Sequence, residues 1–340
     1  MLLKTYRIYD KITLYDILQV FYAKIVRGKS DVGCRQVFCR TTVYISFDFV
    51  PRGGRLELKM GYKIVTKKDL NPQIFLMEVD APLVAKKAEP GQFIILRIDE
   101  YGERVPFTVA DFDREKGTVT IIVQIVGKTT RDLAKLCEGD EILDFAGPLG
   151  MPTELEGLNR VAVIGGGLGT AIAYPQAKKL HSLGAKVDVI TGFRDKSLII
   201  LEDELKKVSD NLVVTTDDGS NGTKGFVTDR LRELVEGGEK YDAVIAIGPL
   251  MMMRAVCKLT EEYKIKTIVS MNPIMIDGTG MCGGCRVTVG GETKFACVDG
   301  PDFDGHQIDW QAALNRQKMF KSQEARACEE GHCRIGRTNG

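Results

Sequence analysis

Short runs of β-branched and aromatic residues, separated by turn-forming residues, fill residues 60–157. Turn signals such as Pro82, Pro90-Gly91 and Gly139-Asp140 bound runs of strand length. The predicted strands are Tyr62–Lys67, Ile74–Val79, Gln92–Arg97, Val105–Ala110, Val119–Val126 and Glu141–Phe145. Together with one short helix near Thr129–Leu136, these six antiparallel strands predict a closed β barrel.

The pattern changes at residue 158, where apolar strands begin to alternate with amphipathic helices. The predicted strands are Val161–Ile164, Val187–Thr191, Leu212–Thr215, Ala243–Ile247 and Thr267–Ser270. The predicted helices run from the glycines after the first strand to about Leu183, and over Glu202–Val208, Val227–Val235 and Met251–Tyr263. Alternation of this kind predicts a doubly wound parallel sheet over 158–270. Pro175 interrupts the first helix and favours a kink there.

Residues 271–310 contain two short β-prone runs, Arg286–Val289 and Glu292–Ala296, on either side of Gly290-Gly291. A Gly-Gly pair in that position predicts a hairpin with a two-residue turn, in which paired residue numbers sum to 581. Cys297 then lies opposite Gly284, beside Cys285. In the tail, 311–340, a polar helix is predicted over Gln311–Ala327. The group Cys328, His332 and Cys333 that follows is interpreted as a solvated tail rather than a metal site.

Residues 1–59 differ from the rest of the chain. They contain nine of the 25 aromatic residues, and eleven Lys or Arg against five Asp or Glu give them a charge of +6. Two interpretations are open: an added segment that packs or binds something, or upstream sequence translated from a misassigned start. The second is preferred, with poor order expected.

Composition narrows the class of protein. The 340 residues are 44% hydrophobic and 27% charged, with a net charge of +1. This balance gives no general attraction to nucleic acid or to an anionic membrane, and no apolar run has transmembrane length. Nine cysteines without a secretory signal indicate reduced thiols and a cytoplasmic location.

Three cysteines converge in the hairpin segment. Cys282 and Cys285 are separated by two residues, and the hairpin returns Cys297 to them. Thiolates in a glycine-rich loop favour zinc or an iron–sulfur cluster, both of which take four ligands, and Asp277 is the nearest further candidate. Two alternatives stay open: a disulfide among these cysteines, and a purely structural Asp277 whose carboxylate caps nearby amides.

Two motifs in the predicted barrel suit a bound phosphate ester. The first is Arg104-Val105-Pro106-Phe107-Thr108, in which the arginine can pair with a pyrophosphate and the threonine can hydrogen-bond a flavin ring edge. The second is Gly127-Lys128-Thr129-Thr130, which opens a helix and can bind an anion. Taken singly, each is also typical of an ordinary strand surface or a threonine-capped helix. Their combination in one barrel favours a dinucleotide.

A third motif, Gly165-Gly166-Gly167-Leu168-Gly169-Thr170, joins a strand to a helix, as nicotinamide-nucleotide turns do. Thr170 stands where the last glycine of that motif would be. Further along, Arg194 would suit a 2′-phosphate and the adjacent Asp195 a bare ribose, so NAD and NADP both stay open. Gly248-Pro249, after another strand, provides a second backbone approach to the same ligand.

The order of barrel, parallel sheet and cysteine hairpin resembles the ferredoxin–NADP reductase superfamily. Within it, the chain is similar to electron-transfer subunits of dihydroorotate dehydrogenase. It is more similar to the small subunit of NADH-dependent reduced ferredoxin:NADP oxidoreductase, also called sulfide dehydrogenase. The likeness covers residues 60 to about 335. It is carried by the flavin motif Arg104–Thr108, the phosphate loop Gly127–Thr130, the nucleotide turn Gly165–Gly169, Thr216–Ser220 with Asp218, and Gly225–Asp229.

Two departures separate these relatives. The dihydroorotate type has a cysteine where this chain has Asp277, and Cys-Gly-Pro where it has Ile247-Gly248-Pro249. Both departures resemble the ferredoxin:NADP oxidoreductase subunit, in which aspartate is an expected cluster ligand. The resemblance thus implies that Asp277, Cys282, Cys285 and Cys297 hold a [2Fe–2S] cluster.

The resemblance also implies a function. FAD and NAD(H) or NADP(H) would be bound, with Thr108 as the catalytic hydrogen-bonding neighbour of the reacting flavin nitrogen. Electrons would pass through the cluster to a larger flavin and iron–sulfur subunit and through it to ferredoxin, in an electron-bifurcating complex. The alternatives are an electron-transfer subunit of dihydroorotate dehydrogenase and, in another class, a nucleotide-sensing regulatory module stabilised by zinc.

Overall fold

The computed structural model describes residues 49–52, 55–58 and 61–320. Its first elements are β1 (Phe49–Arg52) and β2 (Arg55–Leu58), an antiparallel hairpin. Across the hairpin Phe49 pairs with Leu58 and Arg52 with Arg55, and the expectation of poor order in residues 1–59 stays a prediction. The rest of the segment 1–59 lies outside the described residues, as does the tail with Cys328, His332 and Cys333.

The barrel segment forms two antiparallel sheets of five and three strands, in the orders β7-β8-β4-β3-β9 and β10-β5-β6. The strands are β3 (Tyr62–Asn71), β4 (Ile74–Asp80), β5 (Phe93–Arg97), β6 (Val105–Thr108), β7 (Asp111–Asp113), β8 (Thr118–Gln124), β9 (Glu141–Ile142) and β10 (Asp144–Leu149). Helix α2 (Lys128–Lys135) is the predicted short helix. A four-residue helix, α1 (Pro82–Ala85), was not predicted; Pro82 begins it and Val84 and Ala85 are buried.

Two bent strands close the barrel by passing from one sheet to the other. Between β6 and β7, the amide of Val109 donates to Gln92 O (3.0 Å) and that of Ala110 to Thr120 O (2.9 Å), on opposite sheets. Between β9 and β10, the Leu143 amide donates to Ile98 O (3.0 Å). The predicted six-stranded barrel is therefore confirmed, with two of its strands divided at these bends.

The strands of the second segment are β11 (Arg160–Gly166), β12 (Lys186–Phe193), β13 (Asn211–Thr216), β14 (Ala243–Ile247) and β15 (Lys266–Ser270). They form the predicted parallel sheet, in the order β13-β12-β11-β14-β15, and residues Asp302–Asp304 add an antiparallel strand beside β15. The helices are α3 (Gly169–Ser182), α4 (Glu202–Lys206), α5 (Val227–Glu236) and α6 (Leu250–Glu262), with a 3₁₀ turn at Lys196–Leu198. All five residues of β14 are buried, as expected for a central parallel strand. Helix α3 continues through Pro175.

The C-terminal segment contains the predicted hairpin, β16 (Arg286–Val289) and β17 (Glu292–Phe295), then β18 (Asp302–Asp304) and α7 (Trp310–Gln317). Strand β18 was not predicted, because three polar-flanked residues carry no periodic signal. Helix α7 ends at Gln317, so the prediction of a helix to Ala327 is wrong for the described residues after that point. No helix in the described part of the chain combines the length and apolar character that crossing a bilayer requires.

Candidate flavin, nucleotide and iron–sulfur sites

The first barrel motif lies on β6, next to β5. Thr108 pairs with Phe93 of β5, Pro106 pairs with Ile95, and Phe107 lies between them; all the β6 side chains are half-buried. Arg104, just before the strand, has a 42% exposed side chain, and its Nη1 lies 3.9 Å from Asp144 Oδ2. Its guanidinium can therefore turn toward an anion at the barrel surface.

Asp144 has a stronger partner, since Arg97 Nε donates to its Oδ2 at 2.5 Å. That hydrogen bond raises the pKa of Arg97. The carboxylate of Asp144 thus holds Arg97 firmly and Arg104 only loosely. Asp144 was not singled out from the sequence, because only the barrel fold brings β10 beside β5.

The second barrel motif opens α2, and its threonines have different partners. Thr130 Oγ1 accepts from the amides of Val126 and Gly127, both at 2.9 Å, which is the capping role considered for this motif. Thr129 Oγ1 donates to Glu103 Oε2 at 3.1 Å. Lys128 pairs with Asp132 along the helix. The Thr129–Glu103 bond places this helix start beside the residue that precedes Arg104, so the structure brings the two motifs together.

The glycine turn lies at the point where the strand order reverses, since β11 pairs with β12 on one side and β14 on the other. Ligands of open parallel sheets bind at this crevice. A Cβ at Gly169 would lie 2.2 Å from Ile247 O, and one at Gly166 would lie 2.3 Å from Met252 Sδ. The obstacle at Gly169 is backbone, so glycine is required there, whereas the obstacle at Gly166 is the end of a flexible methionine side chain.

The packing of Thr170 accounts for its presence where the motif has glycine. Its side chain is fully buried, and a Cβ at Gly165 would lie 2.9 Å from its Oγ1. The missing glycine of the helix is thus replaced by a glycine of the strand, which preserves close helix–strand packing. Leu168 precedes α3, and Gly167 has a φ of +54°, with no atom within 4 Å of a Cβ built on it.

Gly248-Pro249 contacts the same turn from β14. A Cβ at Gly248 would lie 3.1 Å from the Cα of Gly166 and 2.9 Å from Met252 Cε. The two predicted backbone approaches therefore meet in one place. Met252, on α6, fills the space between them and was missed from the sequence, where it stands in a run of apolar helix residues.

The residues predicted near the ribose lie at the same edge of the sheet. Arg194 is exposed, and its carbonyl accepts from the amide of Asp218 at 3.3 Å. Asp195 caps the 3₁₀ turn, accepting from Ser197 N at 2.9 Å. Asp218 Oδ1 accepts from the hydroxyl of Ser220 at 2.7 Å and its amide at 2.9 Å, which lowers the pKa of Asp218. A cationic and an anionic side chain therefore flank this edge.

The cysteine hairpin has the predicted register, in which Arg286 pairs with Phe295 and Val289 with Glu292. Gly290 and Gly291 have φ of +57° and +81°, as a type I′ turn requires. The Ala296 amide donates to Cys285 O at 3.0 Å, so the ladder continues one pair further. Cys297 thereby returns to the loop that carries the other two cysteines.

Two of the three thiols meet in the interior. Cys285 and Cys297 are 1% and 2% exposed, and burial together with the neighbouring Cys285 thiol raises the pKa of Cys297 to about 12. Cys282 is exposed, and its Sγ accepts from the Gly284 amide at 3.4 Å. Every cysteine within residues 61–320 is a free thiol, so no disulfide forms there.

Asp277 holds the start of the loop. Its Oδ1 accepts from Thr279 N and its Oδ2 from Cys282 N, both at 2.6 Å, and these amides, Thr279 first, lower the pKa of Asp277. Among the described residues, no three Cys, His, Asp or Glu side chains are arranged as a ready metal site. The donor set still fits an iron–sulfur group, because two thiols and a carboxylate lie in one loop with positive φ at Gly278 and Gly280, and the hairpin brings the third thiol back to that loop.

The loop packs directly on the barrel. A Cβ at Gly278 would lie 2.9 Å from Ile95 Cγ1 and 3.0 Å from Leu149 Cδ1. Ile95 belongs to β5, and β5 pairs with β6, the strand that contains Thr108. One strand therefore separates the cysteine loop from the flavin motif. Cys285, Cys297, Phe93 and Ile95 share one hydrophobic core.

Comparison with known proteins identifies the C-terminal segment. Residues 272–309 match the family model of the iron–sulfur cluster binding domain of dihydroorotate dehydrogenase B. The match favours iron–sulfur chemistry over the zinc-stabilised regulatory module.

Longer similarities cover most of the chain. It is 55% identical over 282 residues to an uncharacterised protein of Clostridium beijerinckii, covering 80% of this chain and 95% of that protein. It is 47% identical to a Thermotoga maritima homologue of the electron-transfer subunit of dihydroorotate dehydrogenase B, covering 77% of this chain and 92% of the relative.

A solved structure is also similar. A chain from a study of flavin-based electron bifurcation by NADH-dependent reduced ferredoxin–NADP oxidoreductase is 45% identical, with a TM-score of 0.75, covering 82% of this chain and 99% of that one. A cytochrome P450 reductase of Amycolatopsis, 20% identical with a TM-score of 0.51 over 63% of this chain and 70% of that one, shares the fold alone. The chain thus belongs to the family of dihydroorotate dehydrogenase B electron-transfer subunits and their homologues, which are oxidoreductases of the ferredoxin-reductase type.

Proposed function

We propose that the chain is a subunit that passes electrons between NAD(H), FAD and a [2Fe–2S] cluster in an electron-bifurcating NADH/NADPH/ferredoxin oxidoreductase. The observation that carries the proposal is the contact of the Gly278 loop with Ile95, one strand from Thr108. When bound, FAD supplies hydride exchange and single-electron release, and the cluster accepts single electrons. The proposed segments are 60–157 for FAD, 158–270 for the nicotinamide nucleotide and 271–310 for the cluster.

The barrel residues would bind and orient the flavin. Arg104 can turn its half-exposed guanidinium from Asp144 to a pyrophosphate oxygen. The start of α2, at Gly127–Thr130, adds helix amides for phosphate. Thr108, with Pro106 and Phe107 shaping the surface beside it, would donate a hydrogen bond to the edge of the reacting ring.

The sheet would hold the nicotinamide nucleotide across its crevice. The turn Gly165–Thr170 would lie against the pyrophosphate, and Gly248-Pro249 would bring the backbone of β14 close to the ligand. At the ribose, Asp218 can accept from a bare 2′-hydroxyl, whereas Arg194 can pair with a 2′-phosphate. We take NADH as the nucleotide because the Asp218 carboxylate, oriented by Ser220, lies at this edge as an acceptor for a ribose hydroxyl.

Asp277, Cys282, Cys285 and Cys297 would hold the cluster. Asp277 Oδ1 accepts from both the amide and the hydroxyl of Thr279, whereas Oδ2 accepts one strong hydrogen bond, from Cys282 N, and retains a further lone pair. Ligation by the carboxylate is therefore compatible with its capping role. The two buried thiols would lose their protons on binding, since the thiolate is the ligand form.

The surface around the loop supports a protein partner. Four apolar side chains there are more exposed than is usual for their type: Ile274 (44%), Ile276 (56%), Met281 (87%) and Val298 (40%). An apolar surface of this kind marks an interaction site. The proposed partner is a larger flavin and iron–sulfur subunit, through which electrons would reach ferredoxin.

A second candidate is an electron-transfer subunit for dihydroorotate oxidation, which the matched family model favours. Asp277 and Ile247 favour the first candidate, because the resemblance expects cysteine at both places in the dihydroorotate type. Purification of the native complex separates them: the partner either oxidises dihydroorotate or contains a second flavin and further clusters.

The direct test is the visible spectrum of the anaerobically purified chain, with iron, sulfide and flavin counted per protein. We expect flavin bands over a broad iron–sulfur absorption, with about two irons and two sulfides per chain. A colourless protein that carries zinc and takes up no flavin after reconstitution would contradict the proposal.

A further inference from the structure

The carboxyl group of Asp302, at the start of β18, is buried where three parts of the chain meet. Thr153, which follows the barrel, donates from Oγ1 to Asp302 Oδ2 at 2.5 Å. Gln176 of α3 approaches the same oxygen with Nε2 at 3.4 Å, and Ser270, at the end of β15, lies opposite Asp302 in the antiparallel ladder. All three neighbours are uncharged, and no Lys, Arg or His among the described residues pairs with Asp302.

This cluster contains more acceptors than donors. Asp302 Oδ1 and Gln176 Oε1 are both buried and have no hydrogen-bond partner. An ionised carboxylate buried without a cation is unfavourable, and so is each unpaired acceptor. One proton on Asp302 removes the charge and adds the missing donor. Burial raises the pKa of Asp302, in agreement with this count.

The backbone around Asp302 joins the same three parts. Met151 N donates to Gly300 O at 2.6 Å, and Met271 N donates to Pro301 O at 2.9 Å. On the barrel side, Thr153 N donates to Pro90 O at 3.0 Å. Two residues after Pro90, Gln92 receives the amide of Val109, the neighbour of Thr108. A shift at Asp302 would therefore reach the proposed flavin strand through few bonds.

We propose that Asp302 is a positioning residue, a neutral carboxylic acid that fixes barrel, sheet and cluster hairpin relative to one another and so sets how closely the nicotinamide approaches the flavin. The kinetic part of this inference rests on the proposed function, whereas the neutral acid does not. Asp302→Asn preserves shape and neutrality and supplies a donor. Asp302→Ala leaves Thr153 and Gln176 without their partner. Asp304→Asn, on the same strand with a 40% exposed side chain, is the matched control.

The protonation state is tested on the full chain, with or without cofactors. The folded protein retains the Asp302 proton above pH 3.8, the ordinary pKa, whereas the unfolded chain releases it. This group therefore lowers stability as pH rises from about 4 to its folded pKa. We expect the melting temperature of Asp302→Asn, relative to wild type, to increase across that window, and the infrared band of a protonated carboxyl to disappear. Asp304→Asn should show neither effect.

Positioning is tested by stopped-flow reduction of the flavin-loaded protein with NADH. We expect Asp302→Asn to match wild type. Asp302→Ala should lower the saturating rate by about tenfold to a hundredfold with unchanged NADH affinity, since misplacement of about 1 Å has effects of this size. A residue that only stabilised the fold would leave the rate of the folded fraction unchanged.

Three outcomes would overturn the inference. A wild-type protein without the protonated-carboxyl band would show that Asp302 is ionised. If potassium or sodium ions alone removed the loss of wild-type stability at rising pH, the partner of the Asp302 carboxyl would be a cation and not a proton. Equal rates for Asp302→Ala and wild type would remove the positioning role. Failure of the proposed function itself would instead appear as absence of flavin, with the infrared and melting results still decisive on protonation.

Discussion

The dinucleotide turn and the cysteine loop are both rich in glycine, but glycine serves them differently. At Gly169 the neighbouring backbone leaves no room for a Cβ, since Ile247 O would lie 2.2 Å away, and at Gly166 a Cβ would displace the Met252 side chain, whose Sδ would lie 2.3 Å away. At Gly278 and Gly280 glycine is needed as well for its positive φ, +76° and +85°. The first site is shaped by packing before any ligand arrives. The second gathers donor atoms in a loop and leaves their final arrangement to the bound group.

The difference predicts how each site fails. Added volume at the turn should damage the fold and the nucleotide site together, because the same contacts make both. Loss of a donor in the loop should abolish cluster binding while the barrel and sheet stay intact.

Cys285→Ser should abolish cluster binding. A hydroxyl is a poor iron ligand compared with a thiolate, and Cys285 sits beside Cys297 at the centre of the site. We expect iron and sulfide to fall to background, with flavin content and circular dichroism unchanged. Cys137→Ser, which changes an exposed thiol outside the loop, is the control. Full iron content in the Cys285 variant would show that this residue is not a ligand.

Gly169→Ala should destabilise the nucleotide domain. The new Cβ would lie 2.2 Å from Ile247 O, so β14 and α3 must separate. We expect a loss of roughly 1–3 kcal/mol in the free energy of unfolding, measured with urea, and a much weaker reduction of flavin by NADH. Gly127→Ala is the steric control for unfolding, because a Cβ there meets nothing within 4 Å. Equal stability of the two variants would refute the packing argument.

Arg104→Ala should weaken FAD binding without affecting the cluster. Loss of a charge-assisted hydrogen bond to phosphate costs about 1.5–3 kcal/mol, which corresponds to at least about tenfold in Kd. The FAD affinity of Arg104→Lys should lie between those of wild type and Arg104→Ala, because lysine retains the charge but not the paired donors of the guanidinium. Fluorescence titration of the flavin-free protein measures both. Arg114→Ala, which breaks an exposed pair with Glu89, should bind FAD as wild type does; an equal loss there would point to a general charge effect.

Asp218→Asn should have the smallest effect. The Ser220 hydroxyl, then its amide, lowers the pKa of Asp218, so this carboxylate adds stability above pH 3.8 that is lost as pH falls through its folded pKa. The variant should lack this acid-side loss and should use NADPH better relative to NADH. Asp217→Asn, whose carboxylate accepts no hydrogen bond within residues 61–320, is the control. An unchanged ratio of NADH to NADPH efficiency would separate Asp218 from the ribose site.

The sequence predicted the parts of the molecule in which local pattern decides structure. Gly290-Gly291 determined the hairpin turn and with it the pairing of Arg286 with Phe295. Continuous apolar runs determined the parallel strands, and Ala243–Ile247 agrees at both ends. Strand and helix period are local properties, so neighbouring residues suffice to reveal them.

Other features could not be predicted from the sequence, because they depend on contacts between distant segments. The replacement of a helix glycine at Thr170 by Gly165 is visible only when strand and helix pack. The pairing of Asp144 with Arg97, and the meeting of Asp302 with Thr153 and Gln176, join residues 47 to 149 positions apart. Strand β18 forms because the sheet edge of β15 accepts it, not because its three residues favour a strand.

The most direct test of the account is an anaerobic titration of the cofactor-loaded chain with NADH, followed by electron paramagnetic resonance and visible absorption. The account predicts that wild type bleaches its flavin and develops the signal of a reduced [2Fe–2S] cluster, whereas Cys285→Ser bleaches flavin alone. Bleaching of flavin in wild type with a cluster that stays oxidised, though a chemical reductant can reduce it, would contradict an electron path from nucleotide to hairpin within this chain.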